Sequence, residues 1–134
     1  MAGRSKDWLR QAERDLETAG VLLEQGRYEW SCFVAQQSAE KAATAVIQKW
    51  DGLGWGGSVS QVLDMMARRV EVNKWILHFG RFLDKYQVPT RYPDSFGRGS
   101  PYQYYTARDA IRAVAYGRNI VEFCEGLLAS GVSP

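Results

Sequence analysis

Trp30 to Trp50 reads WSCFVAQQSAEKAATAVIQKW, and the fold follows from how this stretch is read. It holds no Gly and no Pro and is dense in Ala and straight-chain residues, which favours helix. Ala35, Ala39, Ala42 and Val46 recur at helical spacing and share one face, while Phe33, Ala43, Ile47 and Trp50 repeat the pattern beside it. A helix apolar over so much of its circumference belongs at the centre of a bundle. Gln36, Gln37, Glu40 and Lys41 form a polar island in its middle. Gln36 with Glu40, and Gln37 with Lys41, are spaced i, i+4 and can pair. Polar groups on a buried helix must find partners, so the island is either an internal hydrogen-bond network or the lining of a cleft.

Outward from this helix the chain is helical on both sides. A first helix is expected from Lys6 to Gln25, capped by Ser5, with Trp8, Ala12, Leu16, Ala19 and Leu23 on its inner face. Gly26 ends it, and the short link through Arg27 implies an antiparallel hairpin with the second helix, which starts at Tyr28 or Glu29. Asp51 to Gly57 (DGLGWGG) reads as a helix–helix connection, because no strand precedes it and no GK[ST] follows. A short third helix, Ser58 to Arg69, would bury Val59, Val62, Leu63 and Met66. A fourth, Asn73 to Tyr86, would turn Trp75, Ile76, Phe79, Phe82, Leu83 and Tyr86 inward. Its opposite stripe carries Lys74, His78, Arg81 and Lys85, either a solvated face or a phosphate-contacting one. Gln87 to Pro101 holds three of the four prolines and cannot be helix. Five of the seven tyrosines lie in or beside it, with Arg91 and Arg98. Such a loop suits phosphate contact, base stacking or a protein interface. A last helix is expected from Tyr102 to Ala129, followed by a tail from Gly131 to Pro134. The fold class is all-α: an up-and-down bundle of about five helices in a single domain, residues 1–134.

With 134 residues, 46% of them hydrophobic, the chain can bury a real core. A net charge of +2 does not by itself argue for nucleic acid or membrane. Cys32 and Cys124 sit in apolar helical patterns and read as buried thiols of a reducing compartment. No apolar run approaches a membrane span, and MAGRSKDWLRQAERDLE lacks the apolar core of a signal peptide, so a cytoplasmic location is expected. A single histidine and the lack of a C-x-x-C spacing argue against a zinc site, and no metal or cofactor is expected. The residues expected to line a ligand cleft are Gln37, Glu40, Lys41, Arg91, Tyr92 and Asp94, from the polar island and the loop.

Several of these features together resemble the HEPN family, the higher eukaryotes and prokaryotes nucleotide-binding domain. They are Asp7-Trp8-Leu9, Ala12 and Asp15-Leu16, then Tyr28, Cys32-Phe33 and Ala35-Gln36-Gln37-Ser38-Ala39-Glu40-Lys41-Ala42. Leu83-Asp84-Lys85-Tyr86, Pro89-Thr90-Arg91-Tyr92-Pro93-Asp94 and the Ala-rich last helix are similar to its small prokaryotic branch. The resemblance implies a helical bundle that forms homodimers and is encoded beside a minimal nucleotidyltransferase, often as a toxin–antitoxin pair. Many members are metal-independent RNases with an Arg and a His separated by four to six residues. Here the nearest Arg before His78 is Arg69, with eight residues between, and Gly56-Gly57-Ser58 stands where the branch often has Gly-His-Ser. The reading is therefore a non-catalytic dimer that acts with a minimal nucleotidyltransferase and binds that partner, or a nucleotide, through the cleft, with RNA as a further candidate partner. The alternatives are an RNase with His78 as general acid/base and Arg81 or Arg91 stabilising the phosphorane, and a structural dimerisation module.

Overall fold

The structure, a computed structural model, describes residues 3–51 and 57–131. Its elements in order are α1 (Ser5–Glu24), α2 (Tyr28–Asp51), α3 (Val59–Ala67), α4 (Lys74–Asp84) and α5 (Ala107–Ser130), with two 3-10 turns, Pro93–Ser95 and Pro101–Gln103, before α5. No strand occurs among the described residues. The expected connection from Asp51 to Gly57 and the tail after Gly131 lie largely outside the described residues.

The expected central rod is there. Along α2, Cys32, Ala35, Ala39, Ala42, Ala43, Ala45 and Val46 have no exposed surface, and the helix packs against α1, α5, α3 and α4. The hairpin with α1 is set by Gly26, whose φ of 76° few side chains tolerate. There Gly26 N–H bonds Leu23 O at 3.1 Å and Arg27 N–H bonds Leu22 O at 2.9 Å, which closes the end of α1. On the other side α5 comes in close. A Cβ at Gly117 would stand 3.1 Å from the Ala35 carbonyl oxygen and 3.4 Å from Ser38 Oγ. Ala110, Ala113, Val114, Ile120, Val121 and Cys124 complete the buried face of α5.

Some boundaries differ from the sequence reading. Ser5 is not a cap: it lies inside α1, is buried, and donates to Ala45 O at 2.8 Å, tying the start of α1 to the far end of α2. The last helix starts at Ala107 rather than Tyr102, because Thr106 and Asp109 form a capping box there. Pro101 opens a separate 3-10 turn, closed by Ser100 and Gln103. The fourth helix stops at Asp84, where the chain tightens through Tyr86 N–H to Leu83 O at 2.9 Å. Trp75 is not inward but 60% exposed. The buried line of α4 is Ile76, Gly80 and Leu83, and Trp75 in the first turn overhangs its edge.

Because Ala35 O belongs to the backbone of a helix packed on several sides, it cannot retreat from a new side chain at Gly117. Gly117→Val is expected to lower unfolding free energy by about 1–3 kcal/mol through overpacking, read as a lower urea midpoint. Gly20→Ala, where an added Cβ meets nothing within 4 Å, is expected to be neutral or stabilising by up to about 1 kcal/mol.

Candidate functional site

The polar island of α2 resolves into two separate arrangements. Toward the core, Gln36 is fully buried and Glu40 is 8% exposed. Gln36 Nε2 donates to Glu40 Oε1 at 3.4 Å and Gln37 Nε2 donates to Gln36 Oε1 at 2.8 Å. Burial raises the Glu40 carboxyl above its ordinary range, an effect opposed by hydrogen bonds from Gln36 and the Gly57 backbone and by the Lys41 charge, and reinforced by Asp84. Asp84 itself reaches from the end of α4 to the start of α3. It accepts from Val59 N–H at 2.6 Å, Ser60 N–H at 3.3 Å and Ser60 Oγ at 2.5 Å. Two carboxylates thus serve the start of α3, where unpaired N–H groups and the helix dipole favour negative charge.

Toward α1, Lys41 Nζ forms an ion pair with Asp15 Oδ2 at 2.7 Å, the two side chains retaining 24% and 15% of their exposure. Gln11 Nε2 donates to the other oxygen, Asp15 Oδ1, at 2.8 Å. The expected Gln37–Lys41 pair is not the one formed: the hairpin places Asp15 nearer in charge and geometry than the neutral amide. Lys41 also lines a shallow depression of about 360 Å³ with Arg4, Asp7, Trp8 and Gln11. Asp15 and Asp84 are the polar residues that the sequence reading did not assign a role. Asp15 was within reach, since a tight turn at Gly26-Arg27 makes α1 and α2 antiparallel neighbours. Asp84 was not, because the docking of α3 on α4 depends on tertiary packing.

The loop contributes a third group. Thr90 is buried and donates to Tyr86 O at 2.6 Å, which fixes the turn that follows. Arg91 Nε donates to Gln87 O at 2.8 Å. Its guanidinium lies 4.4 Å from the Phe33 ring centre and 5.1 Å from that of Tyr92. Phe33 in turn meets Trp30 edge-on at 5.8 Å. Phe33 and Gln37 are one turn apart on α2. Tyr92 is 50% exposed, and Asp94 is exposed in the first 3-10 turn. The six expected ligand residues therefore do not form one cluster: Arg91 meets Tyr92 and Phe33, Asp94 is exposed in the first 3-10 turn, Gln37 and Glu40 bond Gln36, and Lys41 pairs with Asp15. The depression that Lys41 lines does not include Arg91.

His78 and Arg81 are exposed on α4. His78 is surrounded by rings, with centroids 6.3 Å from Trp75, 6.0 Å from Phe79, 6.5 Å from Phe82 and 6.5 Å from Tyr116. Cys32 and Cys124 are both buried free thiols, and desolvation pushes Cys32 up to about 12. Among the described residues no group of three or more His, Cys, Asp or Glu is placed to hold a metal, and no helix is long and apolar enough to cross a membrane.

This all-α arrangement around a buried, partly polar second helix is that of a HEPN domain. The HEPN domain family matches residues 5–127, and the chain belongs to that family. TT1696 from Thermus thermophilus is 36% identical and superposes with a TM-score of 0.88, covering 92% of this chain and 97% of that one. ST0689, described as an archaeal HEPN homologue, is 40% identical with a TM-score of 0.76 over 92% of this chain and 96% of its own. A HEPN domain protein from Thermotoga maritima is 37% identical with a TM-score of 0.76, covering 92% and 98%. A protein of Methanocaldococcus jannaschii named "Putative toxin MJ1304" is 29% identical over 133 residues, 92% of this chain and 88% of that protein.

Two outcomes are expected from the inner pair. Lys41→Met strands a shielded Asp15 carboxylate and should cost about 2 kcal/mol, between an exposed and a buried pair. Adding Asp15→Leu should restore part of that loss in a double-mutant cycle. For Glu40 the raised carboxyl means that the folded state holds the proton more tightly than the unfolded state. Stability should therefore fall as pH rises from about 4.5 through the folded value, and Glu40→Gln should remove that fall. Melting temperatures of parent and variant should diverge as pH rises above about 4.5, with the variant higher at the upper end.

Proposed function

We propose that this HEPN protein is one member of a toxin–antitoxin pair, that it acts with a minimal nucleotidyltransferase, and that it binds a nucleotide without cutting RNA. What carries this reading is Arg91. Its Nε is committed to Gln87 O, and its guanidinium is held between Phe33 and Tyr92. No ion pair to it occurs among the described residues. Its two terminal nitrogens can then take a phosphate in forked fashion. The half-exposed Tyr92 ring supplies a stacking surface for a base, Asp94 an acceptor for a sugar hydroxyl, and Gln37 a neutral amide at the α2 edge. In this reading Lys41 and Glu40 do not touch the ligand; they hold α2 against α1 and α3, and so keep the edge in place.

The toxin–antitoxin context is supported by family membership and by the name of the Methanocaldococcus jannaschii relative. Binding is favoured over cleavage because His78 lacks an arginine four to six residues before it. A homodimer and a cytoplasmic location complete the proposal.

Calorimetric titration of ATP into the protein, alone and mixed with the product of the adjacent gene, tests it. Saturable binding is expected in at least one arm, weakened at least tenfold, or about 1.4 kcal/mol, by Arg91→Ala. Arg91→Lys, which keeps charge but loses the fork, should fall between. Absence of heat in both arms would overturn the proposal, as would unchanged affinity in the folded Arg91→Ala protein.

A further inference from the structure

A cavity of about 540 Å³ opens at the end of the bundle where α1 begins and where α2 and α5 finish. That volume falls within the range of about 300–1,000 Å³ typical of small-molecule sites. Leu9 from α1 and Leu128 and Ala129 from α5 give it aliphatic walls. Lys6, Lys49 and Glu125 supply the charged groups of its lining. No residue of the Arg91 edge takes part.

The two lysines come together because Ser5 is tied down. Ser5, which also lines the cavity, donates to Ala45 O at 2.8 Å and so holds the start of α1 on α2. Lys6 follows Ser5 directly, and Lys49 lies one turn beyond Ala45 on the same helix. Both lysines are exposed. Among the described residues the ion pairs are Arg4–Asp7, Arg14–Glu17 and Lys41–Asp15, so neither lysine is neutralised by one. The acidic member of the lining is only partly charged. A hydrogen bond shared with Glu13, partial burial, and the charges of Glu13 and Glu122 push the Glu125 carboxyl up to about 7. Near neutral pH the lining is therefore net positive.

The walls decide what kind of anion fits. No aromatic ring lines the cavity, so a nucleobase finds nothing to stack on. A small inorganic anion would leave the aliphatic walls in water. A molecule with an aliphatic chain and one anionic end satisfies both parts, since the chain leaves water against the leucines while its charge stays beside the ammonium groups.

We propose that this cavity binds an aliphatic carboxylate of medium chain length, with the chain against Leu9, Leu128 and Ala129 and the carboxylate between Lys6 and Lys49. The site is separate from the Arg91 edge and does not rest on the function proposed for it.

Calorimetric titration of decanoate into the full chain at pH 7, below the micelle concentration, tests this. Saturable binding is expected with Kd below about 1 mM. Octanoate, two methylenes shorter, should bind about fivefold more weakly, because each buried methylene adds to affinity. Decyltrimethylammonium, with the same chain and the opposite charge, should bind at least tenfold more weakly than decanoate. Lys6→Gln with Lys49→Gln should weaken decanoate at least fivefold and narrow its advantage over the cationic amphiphile. Arg91→Ala should leave decanoate binding unchanged. The proposal is overturned if decanoate does not saturate, if chain length makes no difference, or if the cationic amphiphile binds as tightly as the anionic one. It also fails if the folded double-lysine variant binds decanoate as the parent does, or if Arg91→Ala weakens that binding.

Discussion

The closeness of α2 to α1 and α5 governs the rest of the molecule. Alanines without exposed surface line α2, and Gly117 leaves the Ala35 carbonyl just enough room on the α5 side. Close backbones bring dispersion contacts and exclude water. They also leave little freedom for any polar side chain caught between them. Each such group must find its partner within a few ångströms of where the helix puts it. Ser31 does so at Ala19 O, 2.7 Å away, Ser5 at Ala45 O, and Ser38 at Ala35 O. Of the buried side-chain oxygens among the described residues, Thr44 Oγ1 is the one without a partner.

That constraint explains why the polar island does not open as one cleft. Gln36 and Glu40 face inward and satisfy each other, while Lys41 on the adjoining face meets Asp15 across the hairpin. The same four residues thus tie together α1, α2 and the start of α3. At the periphery lie the places where the Arg91 turn meets Phe33 and where α4 meets α5. There the cations rest on rings instead of pairing with carboxylates. The shielded pair, Lys41 with Asp15, joins two helices.

The fold was legible because its signals are local. The alanine periodicity of α2, the Gly26 turn, and the run Val59, Val62, Leu63 and Met66 each express one-dimensional spacing that tertiary packing did not contradict. The misreadings came where two local signals compete. Ser5 looked like a cap, but a buried carbonyl on another helix claimed its hydroxyl. Tyr102 to Tyr105 carried helical-looking composition, but Thr106 with Asp109 made a stronger start just beyond it. Trp75 matched the apolar period of α4, but the first turn projects beyond the core. For the candidate site, the sequence named candidate residues but left their grouping open. Which of Gln37, Glu40 and Lys41 turns toward Arg91 depends on helix rotation, and periodicity leaves rotation free by tens of degrees.

The reach of Asp84 from the end of α4 to the amides of Val59 and Ser60 has a consequence for motion. A helix whose first N–H groups are held by its own cap can fray and re-form alone; Val59 and Ser60 depend instead on a side chain from another element. Loosening the last turn of α4 therefore removes the Asp84 hold on Val59 and Ser60 and leaves the Ser58–Gln61 capping box as the other hold on the beginning of α3. Hydrogen exchange at those two amides therefore reports the Asp84 contact between α4 and α3.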